Sequence, residues 1–420
     1  MKIETFRAFG SRNYRLFFMG QSVSLIGTWM QKTAIPWVIY VETGSSFMLG
    51  LTVFATQFPS FLFSIFGGVV SDRYNRYKVL LTTQVLSLIQ ALILSILILI
   101  KHYEIWEILA ISILLGIINA FDVPARQALV YDMVDDKNDL PNAIALNSSM
   151  VNLAKILGPP IAGVVLAELG AGICFMLNAV SFLAVIISLL FMRFSKPIPS
   201  DKSKKPLREL KEGFTYLKNT PSIGFVILFL GLISFFVLPY NTLLPVYAKV
   251  IFKGNASTLG YLTGFIGLGA IIGTIFLASL KPGADLKKIL LATTLIFGIG
   301  LILFSHIMNI YWACIFAVIT GFGMMAQVTV SNTIIQTTVS PEMRGRVISY
   351  FAMAFFGMLP LGALVIGWLS NRIGAPNTIL AEGIAALLIF SVFVFFMRRN
   401  LLKKRDMQVM EIEERMAEAD

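Results

Sequence analysis

The sequence predicts an all-α membrane protein of twelve transmembrane helices arranged as two pseudo-symmetric six-helix bundles. Three observations carry that reading. Of its 420 residues, 57% are hydrophobic and only 14% charged, whereas a soluble domain is about 25% charged. Apolar stretches long enough to cross a bilayer core, roughly 20 residues each, recur along the whole chain. Features of the first half return in the second at an almost constant offset. Helices are forced because hydrocarbon offers no partner to an exposed backbone amide. A large barrel would instead show short alternating segments, and that pattern is absent.

The spans fall near 14–41, 46–70, 79–100, 105–131, 142–167, 171–193, 222–250, 257–280, 287–305, 310–337, 344–369 and 377–397. The basic start (Lys2, Arg7, Arg12, Arg15) precedes an apolar run too long for a signal-peptide core and without a small-residue cleavage site. The first helix is therefore expected to act as its own insertion signal. The division is 1–193 for the N-terminal bundle, 194–221 for a cytoplasmic linker, 222–397 for the C-terminal bundle and 398–420 for a cytoplasmic tail. Within the linker, Leu207, Leu210, Phe214 and Leu217 have the spacing of an amphipathic helix lying on the membrane surface. His102 and His306 lie 204 residues apart, as do the Gly170-Ala171 and Gly374-Ala375 pairs, while Trp106/Tyr311 and Gly116/Gly321 lie 205 apart. One such match is chance; a run of them across four helices indicates duplication. Two parallel repeats around a central cavity are a transporter layout.

With the N-terminus inside, 27 of the 34 Lys and Arg residues fall on the inner side and only Lys101, Lys249, Lys253 and Arg372 outside. The expected location is the inner (cytoplasmic) membrane, multi-pass, with both termini cytoplasmic. The net charge of +11 is accounted for by a basic face beside anionic lipid, without nucleic acid. Cys174 and Cys314 lie inside spans and there are two histidines, so neither a disulfide framework nor a metal site is expected. No cofactor is implied. The chain has no phosphate-binding G-x-x-x-x-G-K-[ST] loop, so an ion gradient or the substrate's own gradient is the expected energy source.

Between the second and third spans runs "GGVVSDRYNRYKVL" (67–80), with Asp72, Arg73, Arg76 and Lys78 in one short polar break. Gly68, Asp72, Arg73, Arg76 and Lys78 together resemble the signature loop of the major facilitator superfamily. Asn75 stands where that family usually has glycine, and both tolerate a left-handed backbone. The resemblance implies a loop that clasps the two halves on the cytoplasmic side, with Asp72 facing the start of the eleventh helix near Arg344 and Arg346. Asp132, at the inner end of the fourth helix, is the expected partner of Arg76. "NYRLFFMGQSVSLIGTWMQ" (13–31), "DVPARQALV" (122–130), "KILGPPIAG" (155–163) and "RGRVISY" (344–350) are similar to the subgroup of macrolide-efflux proteins and the enterobactin exporter. That implies export of hydrophobic or amphipathic small molecules (drug, macrolide or siderophore class), coupled to protons by alternating access, from a monomer. Two departures stand out. Ser112 occupies the place of the arginine that many drug/proton antiporters carry in helix 4. Of the helix-5 antiporter motif only Gly158-Pro159 and Ala162-Gly163 survive, and Ala154 replaces an earlier glycine.

Polar stripes nominate the cavity. Gln21, Ser24, Thr28, Gln31 and Lys32 share one face of the first helix, Asn119, Asp122 and Arg126 one face of the fourth, and Ser148, Asn152, Lys155 and Pro159 one face of the fifth. Charges in a bilayer need a partner or water, so these faces should point inward. Lys155 also stands where the subgroup often has arginine. Asp122 is read as the lone carboxylate deep inside a span: either the proton-linked group, or a group neutralised by Arg126 one turn away. In the second half Gln327, Ser331, Asn332 and Gln336 are the candidates, in Met- and Phe-rich surroundings suited to an amphipathic substrate or to plain core. Gly158-Pro159-Pro160 is not expected to hold a regular helix, and Pro360 is a second expected bend. Three alternatives stand beside export: an uptake or lipid-type transporter of the same fold, a receptor without transport, and a membrane prenyltransferase holding magnesium and diphosphate with Asp135, Asp136 and Asp139. The enzyme reading lacks the second acidic cluster it would need.

Overall fold

The computed structural model describes residues 4–194, 206–281 and 283–417. Lys196, Lys202, Lys204 and Lys205, counted above among the inner-side cations, lie outside the described residues. A short 3-10 turn, Glu4–Gly10, leads into helix α1, Arg12–Thr43, which ends at Gly44 in the left-handed region (φ 61°); glycine reaches that conformation without a Cβ clash. Helix α2, Ser46–Arg73, begins at Ser45, whose hydroxyl accepts from the Met48 amide. Helix α3, Arg76–Leu99, is capped by Asn75, whose side chain accepts from the Lys78 amide at 3.2 Å. Asn75 has φ −63° and ψ 109°. The left-handed conformation that asparagine tolerates is not adopted there; asparagine serves as an N-cap, supplying an acceptor to an amide the helix leaves orphaned. Helix α4, Ile105–Met133, starts with the Glu107 carboxylate accepting from the Glu104 amide. Helices α5, Leu140–Glu168, and α6, Ala171–Leu190, complete the first half.

The linker contributes α7, Pro206–Asn219. The second half opens with α8, Pro221–Phe236, a 3-10 segment Leu238–Leu243, the single turn α9, Leu244–Val246, and a π turn Tyr247–Ile251. Then come α10, Ala256–Ala278; α11, Leu286–Ser305; α12, Ile310–Thr338; α13, Pro341–Ala352; a π turn Met353–Gly357; α14, Met358–Ile373; and α15, Ala375–Ala417. The expected boundary at 397/398 does not interrupt α15, which continues to Ala417. Among the described residues there is no strand, and eleven helices are long and apolar enough to cross a membrane. Helix α1 falls outside that count because Gln21, Ser22, Ser24, Thr28, Gln31, Lys32 and Thr33 dilute its apolar surface.

Packing repeats between the halves. Helix α1 lies on α5 and α6, α2 on α4, and α3 on α4 and α6; α8 lies on α14 and α15, α10 on α12, and α11 on α12 and α15. The matched glycines do matched work. A Cβ on Gly116 would lie 2.6 Å from the Thr56 carbonyl oxygen, where α4 meets α2; one on Gly321 would lie 2.1 Å from the Ile266 oxygen, where α12 meets α10. Gly170 and Gly374 start α6 and α15 with nearly the same backbone (φ 83°, ψ 170° and φ 84°, ψ 155°). Across the halves α2 packs on α14 and α5 on α10. Gly50 of α2 approaches the Ala363 backbone, and Gly163 of α5 approaches Gly260. Both contacts lie toward the end of the molecule that carries the Gly44 and Gly170 turns.

The bends differ from expectation. Helix α5 continues through Pro159 and Pro160. Pro360 sits inside α14, and the irregular turn precedes it at Met353–Gly357. A proline removes the bond to the carbonyl four residues earlier and crowds it, and that carbonyl, of Phe356, lies within the π turn. The main interruption comes in the span read as continuous over 222–250. The backbone leaves the helical region at Val237 (φ −126°, ψ −44°), two residues before Pro239.

In the signature loop the tightly packed glycine is Gly67, whose added Cβ would stand 1.8 Å from the Ala120 oxygen, while Gly68 has open space around it. Gly67→Ala should therefore destabilise the detergent-solubilised protein by about 1–3 kcal/mol, as overpacking does. Gly68→Ala should leave its thermal unfolding unchanged or slightly raised. Equal effects would show that α2 and α4 do not approach this closely.

Candidate functional site

Helices α1, α4 and α5 bring three cations and one indole together. Lys32, in the middle of α1, is exposed, and its Nζ lies 4.5 Å from the centroid of the Trp29 ring. Lys155 of α5 places its Nζ 5.9 Å from the same centroid. Arg126 of α4 and Lys155 both lie within electrostatic reach of Lys32. The ring's negative face attracts the ammonium groups, and Gly158 lets the indole sit there: a Cβ on that glycine would be 2.4 Å from the Trp29 Cβ. Gly158 is thus a seat for Trp29.

Asp122 is buried, 5% exposed. Its Oδ1 accepts from Thr83 Oγ1 at 2.9 Å and from Gln84 Nε2 at 2.7 Å, and its Oδ2 lies 3.3 Å from Arg126 Nε. Three partners from two helices converge on its carboxyl, so Asp122 anchors α3 to α4. With Asp122 engaged by Arg126, Lys32 and Lys155 have no acidic partner among the described residues.

Other members of the expected stripes separate. Gln31 turns into the bundle, donating to Gln90 Oε1 at 3.0 Å and accepting from Asn178 Nδ2 at 2.6 Å. It locks α1 to α3 and α6 and does not line the cavity. Gln21 is buried with its Oε1 unpaired, and Thr28 donates to the Ser24 carbonyl at 2.9 Å. Asn119 is half-buried and Asn152 exposed. Gln327 of α12 is fully buried, and neither its amide oxygen nor its nitrogen has a partner among the described residues.

At the loop, Arg76 Nη1 stands 3.2 Å from Asp132 Oδ2, with both side chains largely covered. Asp72, Arg73 and Lys78 are exposed. The structure does not bring Asp72 to the start of α13: Arg344 is exposed, and Arg346 Nη2 instead meets Glu212 Oε2 of the linker helix at 2.9 Å. Helix α7 docks on α13, with Gly213 against Tyr350 and Leu217 buried. Part of the apolar side assigned to a membrane surface is therefore spent on protein; the side chains of Leu207 and Leu210 lie outside the described ones. The acidic run 135–139 is also committed elsewhere. Asp136 caps its turn by accepting from the Asn138 amide, and Asp139 meets Arg7 at 3.7 Å.

Three groups escaped the sequence reading. Trp29 sits one turn from Lys32 on the same face, a spacing that was available. Thr83 and Gln84 are polar residues in a span read only as apolar. Glu382 of α15 is 1% exposed, so Asp122 is not the lone carboxylate within the spans. A single acid in "ILAEGIAALL" was the signal.

The transmembrane secretion effector family matches residues 3–419. The chain belongs to that family. As a member it is a multi-pass membrane transporter of the major facilitator type that handles small molecules, not an enzyme. Among curated relatives, the staphyloferrin A transporter of Staphylococcus aureus is 28% identical over 393 residues, covering 93% of this chain and 97% of its own. Macrolide efflux protein A of Streptococcus pyogenes is 24% identical over 94% of this chain and 99% of its own. The enterobactin exporter EntS of Shigella boydii is 26% identical over 90% and 89%. The solved structure of a bacterial homolog of the human lysosomal transporter Spinster, in an inward-facing and unoccupied conformation, shares the fold with a TM-score of 0.73 at 17% identity, covering 94% of this chain and 98% of that one.

Two measurements check the site in this family member. Arg76→Ala and Asp132→Ala should be non-additive in unfolding stability by about 0.5–3 kcal/mol, the range for residues in contact; losses that simply add would exclude the pair. Asp122→Asn should cost about 3–5 kcal/mol by leaving Arg126 without its counter-ion, read as a fall in thermal stability whether or not substrate is present. An undiminished stability would return Asp122 to a purely functional role.

Proposed function

We propose that this transporter exports amphipathic small molecules that carry an anionic group, by proton-coupled alternating access across the inner membrane. The observation that carries this reading is the cation cluster of α1, α4 and α5, where Lys32 and Lys155 flank Trp29 with no acidic partner among the described residues. Unpaired charges at that depth are costly unless water or a counter-ion meets them. A bound anion supplies the counter-ion, and the indole offers an apolar face to the rest of the molecule. Export is supported by the relatives: two of the three described above are named for efflux or export, of macrolides and of enterobactin.

In this reading helix α1 is the twelfth span, and the bundles are 1–193 and 222–397, joined by the 194–221 linker and followed by the 398–420 tail. The repeated packing pairs support the two-bundle division. The Lys and Arg distribution supports cytoplasmic termini, and the monomer is the working unit. Alternating access would rock the halves about the α2–α14 and α5–α10 contacts. Arg76 with Asp132 would stiffen the inner face of the first half. Asp72, Arg73 and Lys78 would engage the Arg344–Arg346 region when that face closes, with Asp72 displacing Glu212 from Arg346.

The test is efflux from cells with and without the gene, using paired anionic and neutral amphipathic compounds. Lys32→Gln and Lys155→Gln should each raise the half-saturating concentration of an exported anion about tenfold or more, as loss of one charge-assisted contact of about 1.5–3 kcal/mol implies. Neutral compounds should change little. Export restricted to neutral compounds, unaffected by either substitution, would overturn the anion reading.

A further inference from the structure

We propose that Glu382 is a proton-binding site of the C-terminal half, and that its occupancy is tied to the position of the interrupted segment 237–251. The inference rests on the alternating-access reading above and names the coupling group within it.

Glu382 is 1% exposed, and neither carboxyl oxygen has a hydrogen-bond partner among the described residues. Its helix packs on α8, α11, α14 and the 3-10 segment. From that segment and the following π turn, Tyr240 and Tyr247 lie within electrostatic reach of the carboxyl. Their hydroxyls are aimed elsewhere: Tyr240 toward the Met324 sulfur at 3.8 Å, and Tyr247 onto the Ser305 carbonyl. No cation among the described residues compensates. Helix α8 has no ionisable residue, and α15 has no other between 375 and 396. On α11, His306 contacts Ser305 and Asn377, while Lys287 and Lys288 stand at the opposite end of the helix. Arg372 of α14 is exposed and lies over the Trp368 ring at 5.6 Å, and Lys249 of the π turn is exposed. An unpaired carboxylate in an apolar interior is neutralised rather than kept as an anion. Here the only available neutralisation is a proton: the carboxylate takes one from hydronium, leaving water and the neutral acid.

The cover over this acid is the part of the bundle least committed to regular helix. Its backbone leaves the α region at Val237 and passes through 3-10 and π geometry past Pro239 and Pro245. Discontinuous spans are where transporters house coupling ions, because such backbone can shift without breaking a continuous ladder. Movement of 237–251 away from α15 would admit water. The acid would then pass its proton to that water and remain as a hydrated carboxylate. By linkage, protonation stabilises the closed cover, and raising the pH favours the displaced one.

The experiment uses the full chain in lipid nanodiscs, with protons as the only ligand. Infrared difference spectra across a pH titration should show the carbonyl stretch of a protonated acid in the wild type and its loss in Glu382→Gln. Spin labels at exposed Val250 and Met308 should report a pH-dependent distance in the wild type. In Glu382→Gln, an uncharged mimic of the protonated form, the distance should stay at its acid value. No protonated-acid band in the wild type sinks the proposal without any variant. A band or a distance change that persists in Glu382→Gln sinks it too. Wild-type export from cells alongside pH-insensitive distances would overturn the Glu382 assignment and leave the export reading standing. If the wild type exports nothing, the export reading fails, while the infrared band still decides whether Glu382 holds a proton.

Discussion

The rest of the structure depends on how few ways a charge can exist at membrane depth: paired, hydrated or neutralised. The chain uses each at a different place. Asp122 is paired, with Arg126, Thr83 and Gln84 closing around it. Lys32 and Lys155 have no acidic partner among the described residues, and they converge on one indole. Glu382 is buried with no hydrogen-bond partner among the described residues. Much of the architecture follows from meeting these conditions at once. Gly158 must be bare for Trp29 to seat, and the Gln31–Gln90–Asn178 amides must be satisfied inside the bundle so that the neighbouring Lys32 can face out of it.

Duplication supplies the frame, and divergence supplies the chemistry. The Gly116/Gly321 and Gly170/Gly374 pairs keep equivalent geometry in both halves, because backbone-to-backbone approach leaves no room for a side chain. Positions without that constraint have drifted apart. The first half carries the intramembrane cations on regular helices. The second carries one acid beside a helix broken at Val237.

The elements that were legible in the sequence were those set by long-range composition. Span positions, the repeat offset and the Arg76–Asp132 pairing follow from hydropathy, periodicity and the placing of both residues at the same end of neighbouring helices. What escaped was set by choices between neighbours. Gln31 and Lys32 are adjacent, and only packing decides which one turns inward. Asn75 could have been a left-handed turn or a cap, and the Lys78 amide decided it. The consecutive prolines of α5 looked disruptive, whereas the break came at Val237, where Pro239 and Pro245 are spaced apart and each disturbs a different turn. Glu382 was passed over because one acid barely lowers the hydropathy of an otherwise apolar span.

The linker helix has a mechanical consequence. Glu212 on Arg346, with Leu217 buried nearby, fastens α7 to the second half, so it cannot serve as slack. Helix α7 must therefore travel with α13, and it occupies the same arginine that the signature loop would need to grip.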